Sequence, residues 1–356
     1  MSKALWSSFL VGLALLIIAT SFLPYARHHD LDLRGQVRAA SAAGLAFLAK
    51  SQLETGELPT YAWRMGEETK ASYVRTPFTV SQILHALAFV DGGEVGRHLR
   101  ERAIAFLVAH REAPGLWRYY GSDDGYYAQV YAQFSHPKLP PDVDDTAQAW
   151  AALSEHGIAV TPEALEILKA NRTTAGLFNT WIGTPKELRW MDGKEREVDA
   201  VVNLNGLFLF ARAGQPLPEV CQYAVTVTRT KAFHRGTVWY PSPLAYTYVL
   251  SRAYADGRAV CLNEAISEIR SYVLAHQQPD GRWGNDLETA LGILTLLNTG
   301  ERGEGLHRGV RALLAHQGSD GGWDLAPLYK GAVLYYGSRQ LTTGFCLEAL
   351  GKYLVQ

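Results

Sequence analysis

The chain has 356 residues, of which 47% are hydrophobic and 19% are charged, so it can bury a large core in one or two domains and is not a disordered composition. The formal net charge is −1, and the lysines and arginines are scattered along the chain. Because this distribution offers no basic stripe to a phosphate backbone, nucleic acid is excluded as a partner.

The chain opens with an uncharged, apolar run at residues 5–23. At ~1.5 Å per residue, a helix of this length comes close to spanning the ~30 Å hydrocarbon layer of a bilayer. No small-residue cleavage pattern follows, which favours an uncleaved anchor. We therefore predict an N-terminal transmembrane helix within a membrane anchor and linker at residues 1–35, and a single-pass membrane protein whose orientation the flanking charges do not determine.

Residues 36–356 alternate between amphipathic and apolar helical runs. The amphipathic runs lie at 36–51, 96–110, 162–171, 217–231, 262–277 and 304–317. The apolar runs lie at 76–91, 142–156, 199–213, 242–256, 286–299 and 341–354. Apolar helices belong inside and amphipathic helices outside. With no sustained strand periodicity, the pattern predicts an all-α fold, a single (α/α)6 barrel domain of six inner and six outer helices over residues 36–356.

The turns between the runs repeat as well. Residues 277–283 and 317–323 both read Gln-x-x-Asp-Gly-x-Trp and lie 40 residues apart, a period typical of helical repeats. Weaker copies upstream bring the number of repeat tryptophans to six. The glycine permits a positive φ at the turn, and we expect the tryptophans to stack repeat on repeat.

Three carboxylates open the second apolar run, where residues 141–147 read Pro-Asp-Val-Asp-Asp-Thr-Ala. One interpretation is structural: Asp142 caps a helix, and Asp144 and Asp145 favour the positive end of its dipole. The other is catalytic, because crowded carboxylates in a poorly hydrated cavity cannot all ionise, so one keeps a proton and can donate it to an alkene.

This string resembles the Asp-x-Asp-Asp-Thr-Ala acid motif of class II terpene cyclases, the squalene-hopene and diterpene cyclase family. The Gln-Trp repeats resemble those of the same family, whose barrel is shared with protein prenyltransferase β subunits. The resemblance implies that Asp144 protonates an isoprene double bond and that Asp142 and Asp145 tune it. It also implies a donor that polarises the acid, for which His234 and His85 are candidates. Full class II cyclases pair two helical domains, whereas this chain supplies one barrel.

Since inner helices of such a barrel run parallel, their first turns should meet at one end. Polar residues gather there, and Asn203 and Asn205 in an apolar run would need buried partners or a ligand. Asp199 and Glu288 can equally be caps. Aromatic side chains could stabilise a carbocation or simply pack in the core. The predicted substrate-binding residues are Asp199, Asn203, Asn205, Tyr246, Glu288, Trp150, Phe78 and Phe345.

The three cysteines, Cys221, Cys261 and Cys346, have no metal-ligand spacing. Cys221 and Cys346 lie among apolar residues of predicted helices, where a free cysteine behaves as a small hydrophobe, and only a single disulfide pair stays open. The Asp, Cys and His set of a zinc prenyltransferase is not matched. We expect no cofactor, with Mg²⁺ relevant only if the substrate is a diphosphate.

The leading hypothesis is a membrane-anchored, terpene-cyclase-like enzyme that acts on a polyprenyl or triterpene-type lipid. A second hypothesis is an extracytoplasmic, sugar-processing (α/α)6 barrel that uses two carboxylates such as Asp144 and Glu288. A third is a non-catalytic barrel that binds a lipid or protein. The character of the cavity separates the three, because an apolar closed cavity favours the terpene hypothesis and an open groove with paired acids favours the sugar hypothesis.

Overall fold

The computed structural model describes residues 32–120, 139–184, 186–191, 197–331 and 333–356. Within these ranges lie twelve α-helices, which we number α1 to α12 in chain order. The outer helices are α1 (32–51), α3 (Gly93–Ala109), α5 (Pro162–Ala170), α7 (Pro218–Arg229), α9 (Asn263–Ala275) and α11 (Glu304–Ala315). The inner helices are α2 (Pro77–Ala86), α4 (Val143–Glu155), α6 (Ala200–Arg212), α8 (Pro243–Ala255), α10 (Asp286–Asn298) and α12 (Arg339–Leu354).

The inner helices form a closed ring in which each contacts the next inner helix and α12 returns to α2. Their side chains are buried nearly all round, as in α6, where every residue from Ala200 to Phe210 is buried. The outer helices bury one stripe, which in α11 comprises Leu306, Gly309, Val310, Ala312 and Leu313. The predicted alternation of six inner and six outer helices is confirmed. Its physical reason is that a helix that is apolar all round is stable only in the interior, whereas an amphipathic helix can face solvent on one side.

The Gln-Trp turns connect neighbouring outer helices. Nε2 of Gln277 donates to the carbonyls of Gly281, in its own turn, and Gly305, in α11, at 2.9 and 2.8 Å. Trp283 donates from Nε1 to the carbonyl of Val273 at 2.7 Å and so caps the end of α9. Gly281 has a φ of +94°, and an added Cβ would lie 2.7 Å from the carbonyl oxygen of Arg308. Glycine is therefore required where the turn meets α11.

The same turn closes the outer layer. Nε2 of Gln317 donates to the carbonyls of Gly321 and Ala40, at 2.8 and 2.9 Å. Because Ala40 belongs to α1, this hydrogen bond joins the turn after the last outer helix to the first outer helix. The two residues are 277 positions apart in the sequence.

A four-stranded antiparallel sheet was not predicted and corrects the purely helical expectation. Its strands are β1 (Thr60–Trp63), β2 (Ser72–Val74), β3 (Pro327–Lys330) and β4 (Tyr335–Gly337), in the order β2-β1-β4-β3. Each strand has three or four residues, too few for an alternating pattern to show in the sequence. The central pairing, Tyr61 opposite Gly337, joins distant parts of the chain.

The prediction of a single-pass membrane protein is contradicted. Among the residues that the structure describes, no helix is long and apolar enough to cross a bilayer. The apolar run at 5–23, on which the prediction rested, lies outside the described residues.

Cys221 is bonded to Cys261, so the single disulfide pair that the sequence left open is present and Cys221 is not a free thiol. The disulfide joins α7 to the short 3-10 turn that precedes α9, and the two residues are 40 positions apart. This separation equals the repeat period, so the bond connects adjacent outer-layer segments. Cys346 is a buried free thiol.

Candidate active site

The acid motif begins inner helix α4. Asp142 is the N-cap, and its Oδ1 accepts a hydrogen bond of 2.7 Å from the backbone N–H of Asp145. The structural interpretation therefore holds for Asp142. Capping alone does not require burial, yet Asp142, Asp144 and Asp145 are 4%, 9% and 3% exposed. Burying three carboxylates on one helical turn costs free energy, and helix capping does not explain why all three are buried.

Asp144 is held by two side chains from other parts of the barrel. Nδ2 of Asn205, on α6, donates to its Oδ1 at 2.6 Å. The hydroxyl of Tyr240, in the connection before α8, donates to its Oδ2. Both bonds favour the charged carboxylate and hold it in one orientation.

Arg252 orients Asn205. Its Nη2 donates to Oδ1 of Asn205 at 2.6 Å and to Oε1 of Gln148 at 3.0 Å. The guanidinium is fully buried and lies over the rings of Phe208 and Tyr248, with its Cζ 4.6 and 5.3 Å from their centroids. A buried cation thus fixes which end of the Asn205 amide faces Asp144.

Burial favours the protonated forms of the three acids. It raises the pKa of Asp144 to about 7, against the opposing hydrogen bond from Tyr240 and with a further increase from the charge of Asp142. Burial likewise raises the pKa of Asp142 to about 6. The pKa of Asp145 is raised well above its usual range by burial and by Asp142, and its buried Oδ2 accepts no hydrogen bond from a described donor. The three acids therefore share protons near neutral pH.

A small cavity of about 10 Å³, roughly the space for one water molecule, lies beside the partners of Asp144. Tyr240 and Asn205 form part of its wall. The remaining lining residues are Gln82, Gln148, Ala245, Tyr248, Val249, Leu328 and Phe345. Ligand sites usually measure ~300–1,000 Å³, so this cavity holds no prenyl chain as it stands, and the surrounding side chains must move to admit one.

The predicted binding residues separate into two groups. Asn205 and Phe345 line the cavity, whereas Phe78 does not line it and packs against Tyr329, with ring centroids 4.9 Å apart. Phe345 packs edge to face against Tyr248, at 5.4 Å. These three residues were predicted from their positions on inner helices.

The other predicted residues make structural contacts. Asn203 bonds through Oδ1 and Nδ2 to the backbone of Phe178, at 2.8 and 3.1 Å. Asp199 caps α6 and accepts from the backbone N–H of Trp239. Glu288 completes a capping box with Asn285 at the start of α10 and accepts from Ser242 at 2.7 Å.

Two predicted aromatics point away from the cavity. The hydroxyl of Tyr246 donates to the carbonyl of Ala224, on outer helix α7, at 2.8 Å. Trp150 donates from Nε1 to the carbonyl of Gly115 at 2.8 Å and contacts Trp117 edge to face. Both fill the space between the two helical layers, because an inner helix that is apolar all round presents aromatic side chains on both sides.

Neither candidate histidine contacts Asp144. His85 lies near the far end of α2, bonded to Glu155, and His234 packs on Tyr272 in the outer layer. Tyr240 and Asn205 take the place of the expected donor. Tyr240 was missed, although it follows a repeat tryptophan, Trp239, directly before an inner helix.

Arg252, Gln148, Gln82 and Tyr248 were also missed. The only indication in the sequence was a charged residue, Arg252, in the interior of the apolar run at 242–256.

One group of side chains has the spacing of a cation site. Among the described residues, ligand atoms of His85, Asp256 and Glu348 lie within 4.8 Å of one another. Nζ of Lys352 bonds to Asp256 and lies 3.2 Å from Oε1 of Glu348. A lysine ammonium thus occupies this position.

No protein-family model and no curated protein matches the sequence. Solved structures do match. The type II terpene cyclase MstE from Scytonema, in complex with its substrate geranylgeranyl dihydroxybenzoate, aligns with a TM-score of 0.69 at 16% identity, over 91% of this chain and 99% of that chain. A protein from Actinoplanes aligns with a TM-score of 0.69 at 17% identity, over 90% of this chain and 100% of that chain.

The chain has the fold of the type II terpene cyclases. In MstE this cyclase fold is as long as in the present chain, since 99% of that structure is covered. The single barrel of this chain, which departs from the two helical domains of full class II cyclases, thus covers nearly all of the MstE structure.

The cyclase fold is not restricted to one chemistry. An unsaturated glucuronyl hydrolase specific for heparin aligns with a TM-score of 0.54 at 13% identity, over 90% of this chain and 97% of that chain. The function of this terpene-cyclase-like barrel has to be argued from its residues.

Proposed function

We propose that this chain is a terpene-cyclase-like enzyme that starts the cyclisation of a polyprenyl or triterpene-type lipid by protonating an alkene, with Asp144 as the acid. One observation carries the proposal: Asn205 and Tyr240, which hold Asp144, also form the wall of a partly aromatic cavity. An acid that keeps a proton near neutral pH beside an apolar cavity meets the requirement of alkene protonation.

In the proposed first step, the π electrons of the alkene take the proton from Asp144. A C–H bond forms, the neighbouring carbon becomes cationic, and Asp144 is left as a carboxylate that Asn205 and Tyr240 stabilise. A second alkene of the same chain then attacks the cation and closes a ring. The rings of Tyr248 and Phe345, on the cavity wall, offer their faces to the cation.

Asp142 and Asp145 support this role through charge. Three acids on one helical turn cannot all be ionised in a buried site, so a proton is retained in the group. Asp145 is the member of the group that keeps its proton most readily, because burial raises its pKa well above its usual range.

The sugar-processing alternative requires a second carboxylate facing the same cavity. Glu288 is engaged in its capping box and with Ser242, and Asp199 accepts backbone hydrogen bonds. Neither belongs to the cavity wall, and neither bonds to Asn205 or Tyr240, the wall residues that hold Asp144. The residues therefore favour alkene chemistry, for which a single acid is sufficient.

The proposal is tested by incubating the purified protein with geranylgeranyl diphosphate, squalene and geranylgeranyl dihydroxybenzoate and searching for cyclic products. Asp144→Asn should reduce turnover at least ~10²-fold, because an amide cannot donate an acidic proton. Circular dichroism should show an unchanged fold, since asparagine still accepts the hydrogen bond from Asn205 or Tyr240.

Asp142→Asn is the matched control. Asparagine caps helices as well as aspartate does, so this change should reduce turnover less than the change at Asp144. Full turnover by Asp144→Asn on a substrate that the wild type converts would show that Asp144 is not the acid.

A further inference from the structure

The far end of the barrel contains a second group of buried ionisable side chains, which the proposed acid step does not use. His85, Glu155 and Lys352 lie in or near the last turns of α2, α4 and α12, and Glu348 lies one turn before Lys352. The side chains of His85, Glu155, Glu348 and Lys352 are 3%, 6%, 0% and 8% exposed. Buried charges on separate helices are costly, and their presence requires an explanation.

These groups connect the cavity to the surface. The hydroxyl of Tyr248, on the cavity wall, donates to Oε2 of Glu348 at 2.8 Å. Oε1 of Glu348 lies 3.5 Å from Nε2 of His85, and Nδ1 of His85 lies 2.7 Å from Oε2 of Glu155. Oε1 of Glu155 lies 3.6 Å from Nη1 of Arg212, whose side chain is 29% exposed.

Glu348 is an anion ready to accept a proton from Tyr248. Although burial favours its neutral form, the charges of Lys352 and His85 hold its pKa at about 2. Burial raises the pKa of Tyr248 well above its usual range, so the phenol keeps its proton until another proton reaches its oxygen. His85 is an imidazolium, since Glu155 and Glu348 raise its pKa to about 9 against the effect of burial.

The proposed cyclisation is an isomerisation, so the proton added to the alkene has to be balanced by a proton lost from the final cation. Tyr248 is separated from Asp144 by Arg252 and Asn205: the guanidinium of Arg252 lies 5.3 Å from the Tyr248 ring centroid and bonds to Asn205, which bonds to Asp144. A proton acceptor apart from Asp144 would leave the cation intact while rings form and discharge it afterwards.

We propose that Tyr248 and Glu348 form a proton outlet that ends the reaction, with His85 and Lys352 holding Glu348 as a carboxylate. This proposal rests on the proposed function. A C–H bond next to the final cationic carbon breaks, its electron pair forms the product double bond, and the proton goes to the oxygen of Tyr248 while the phenolic proton goes to Glu348. His85, an imidazolium with a hydrogen on each ring nitrogen, takes up no proton. Its charge and that of Lys352 lower the pKa of Glu348, so Glu348 returns the proton through Tyr248 to water once the product has left the cavity.

In this proposal Tyr248 is the residue that contacts the substrate, and Glu348 and His85 act through it. Two adjacent tyrosines of α8 provide a matched pair of variants. The hydroxyl of Tyr248 faces Glu348, whereas the hydroxyl of Tyr246 faces Ala224 and Thr228 of the outer layer. Both Tyr248→Phe and Tyr246→Phe remove one buried hydroxyl and keep the ring.

The experiment compares the wild type, Tyr248→Phe, Tyr246→Phe and Glu348→Gln on geranylgeranyl dihydroxybenzoate, with kcat and the product distribution as readouts. Tyr248→Phe and Glu348→Gln should lower kcat at least ~10-fold and divert product to alcohols or to other double-bond isomers, since the cation then persists until water or another base meets it. Tyr246→Phe should give the wild-type product distribution.

Wild-type product and rate from Tyr248→Phe would overturn the outlet and leave the proposed function standing. The proton outlet would also be overturned if Tyr246→Phe changed the product distribution in the same way as Tyr248→Phe. A general destabilisation of α8 would then explain both variants. Two other results would contradict the proposed function itself. One is full turnover by Asp144→Asn, and the other is the absence of any product when the wild type is incubated with geranylgeranyl diphosphate, squalene or geranylgeranyl dihydroxybenzoate. No product by the wild type overturns both proposals.

Discussion

Asn205 donates a hydrogen bond of 2.6 Å to Oδ1 of Asp144, from a position 61 residues further along the chain. The amide cannot turn over, because its own Oδ1 accepts from the buried guanidinium of Arg252 at 2.6 Å. Oδ1 of Asp144 therefore always faces a donor. When Asp144 is protonated, the acidic hydrogen belongs on Oδ2, beside Tyr240 and the cavity wall.

Tyr240→Phe should shift the pH dependence of turnover. The hydrogen bond from Tyr240 lowers the pKa of Asp144, which is about 7 in the wild type. Without it the pKa rises, so the loss of activity on the alkaline side moves to higher pH. The plateau rate should fall by up to roughly 10-fold, because a weaker acid protonates an alkene more slowly. The measurement is kcat against pH for the variant and the wild type, and an unchanged alkaline limb would contradict the assignment of the acid.

Asp144→Asn should flatten part of the dependence of stability on pH. The pKa of Asp144 is about 7 in the folded chain and 3.8 as a free side chain. A raised pKa favours the protonated folded state, so this contribution is complete below about pH 4 and is lost as the pH rises to about 7. The difference in free energy of unfolding between the wild type and the variant should therefore fall with pH over that window, by on the order of 4 kcal/mol.

Urea unfolding at intervals from pH 4 to pH 8 measures this difference. The acids and His85 at the far end of the barrel are present in both proteins, so their contributions cancel. A difference that rises with pH would mean that Asp144 is ionised and stabilised as an anion, which is incompatible with a proton donor.

Gln317→Ala should destabilise the barrel by removing the bond that joins its two ends. The variant loses hydrogen bonds of 2.9 and 2.8 Å to the carbonyls of Ala40 and Gly321. Leaving such acceptors unpaired costs about 1–3 kcal/mol. Thermal unfolding should show a lower Tm with turnover unchanged at 25 °C, because Gln317 lies in the outer layer.

Gln222→Ala is the control for this change. The side chain of Gln222 is exposed and makes one 3.5 Å contact with Thr226, so its removal should cost less than about 0.5 kcal/mol. Equal effects of the two substitutions would show that the contact between Gln317 and α1 does not hold the ends together.

The sequence was sufficient to predict the helical architecture because the pattern is local. The runs 199–213 and 304–317 differ in how their apolar residues are spaced around a helix. That spacing depends only on the order of residues within each run. The four strands could not be predicted from pattern, since strands of three or four residues contain no full alternation. The bond between Cys221 and Cys261 likewise depended on which outer-layer segments are adjacent.

The acid motif at 141–147 could be recognised from its letters, and the sequence thereby determined where the proposed proton donor lies in the chain. Only the tertiary structure decided which side chains reach it. Tyr240 and Tyr248 lie 96 and 100 positions from their partners Asp144 and Glu348. Tyr246 and Tyr248 are two residues apart on one helix, about 200° around its axis, so they face opposite layers. On a helix that is apolar all round, no local pattern indicates which of the two faces the interior, because that depends on the packing of all six inner helices.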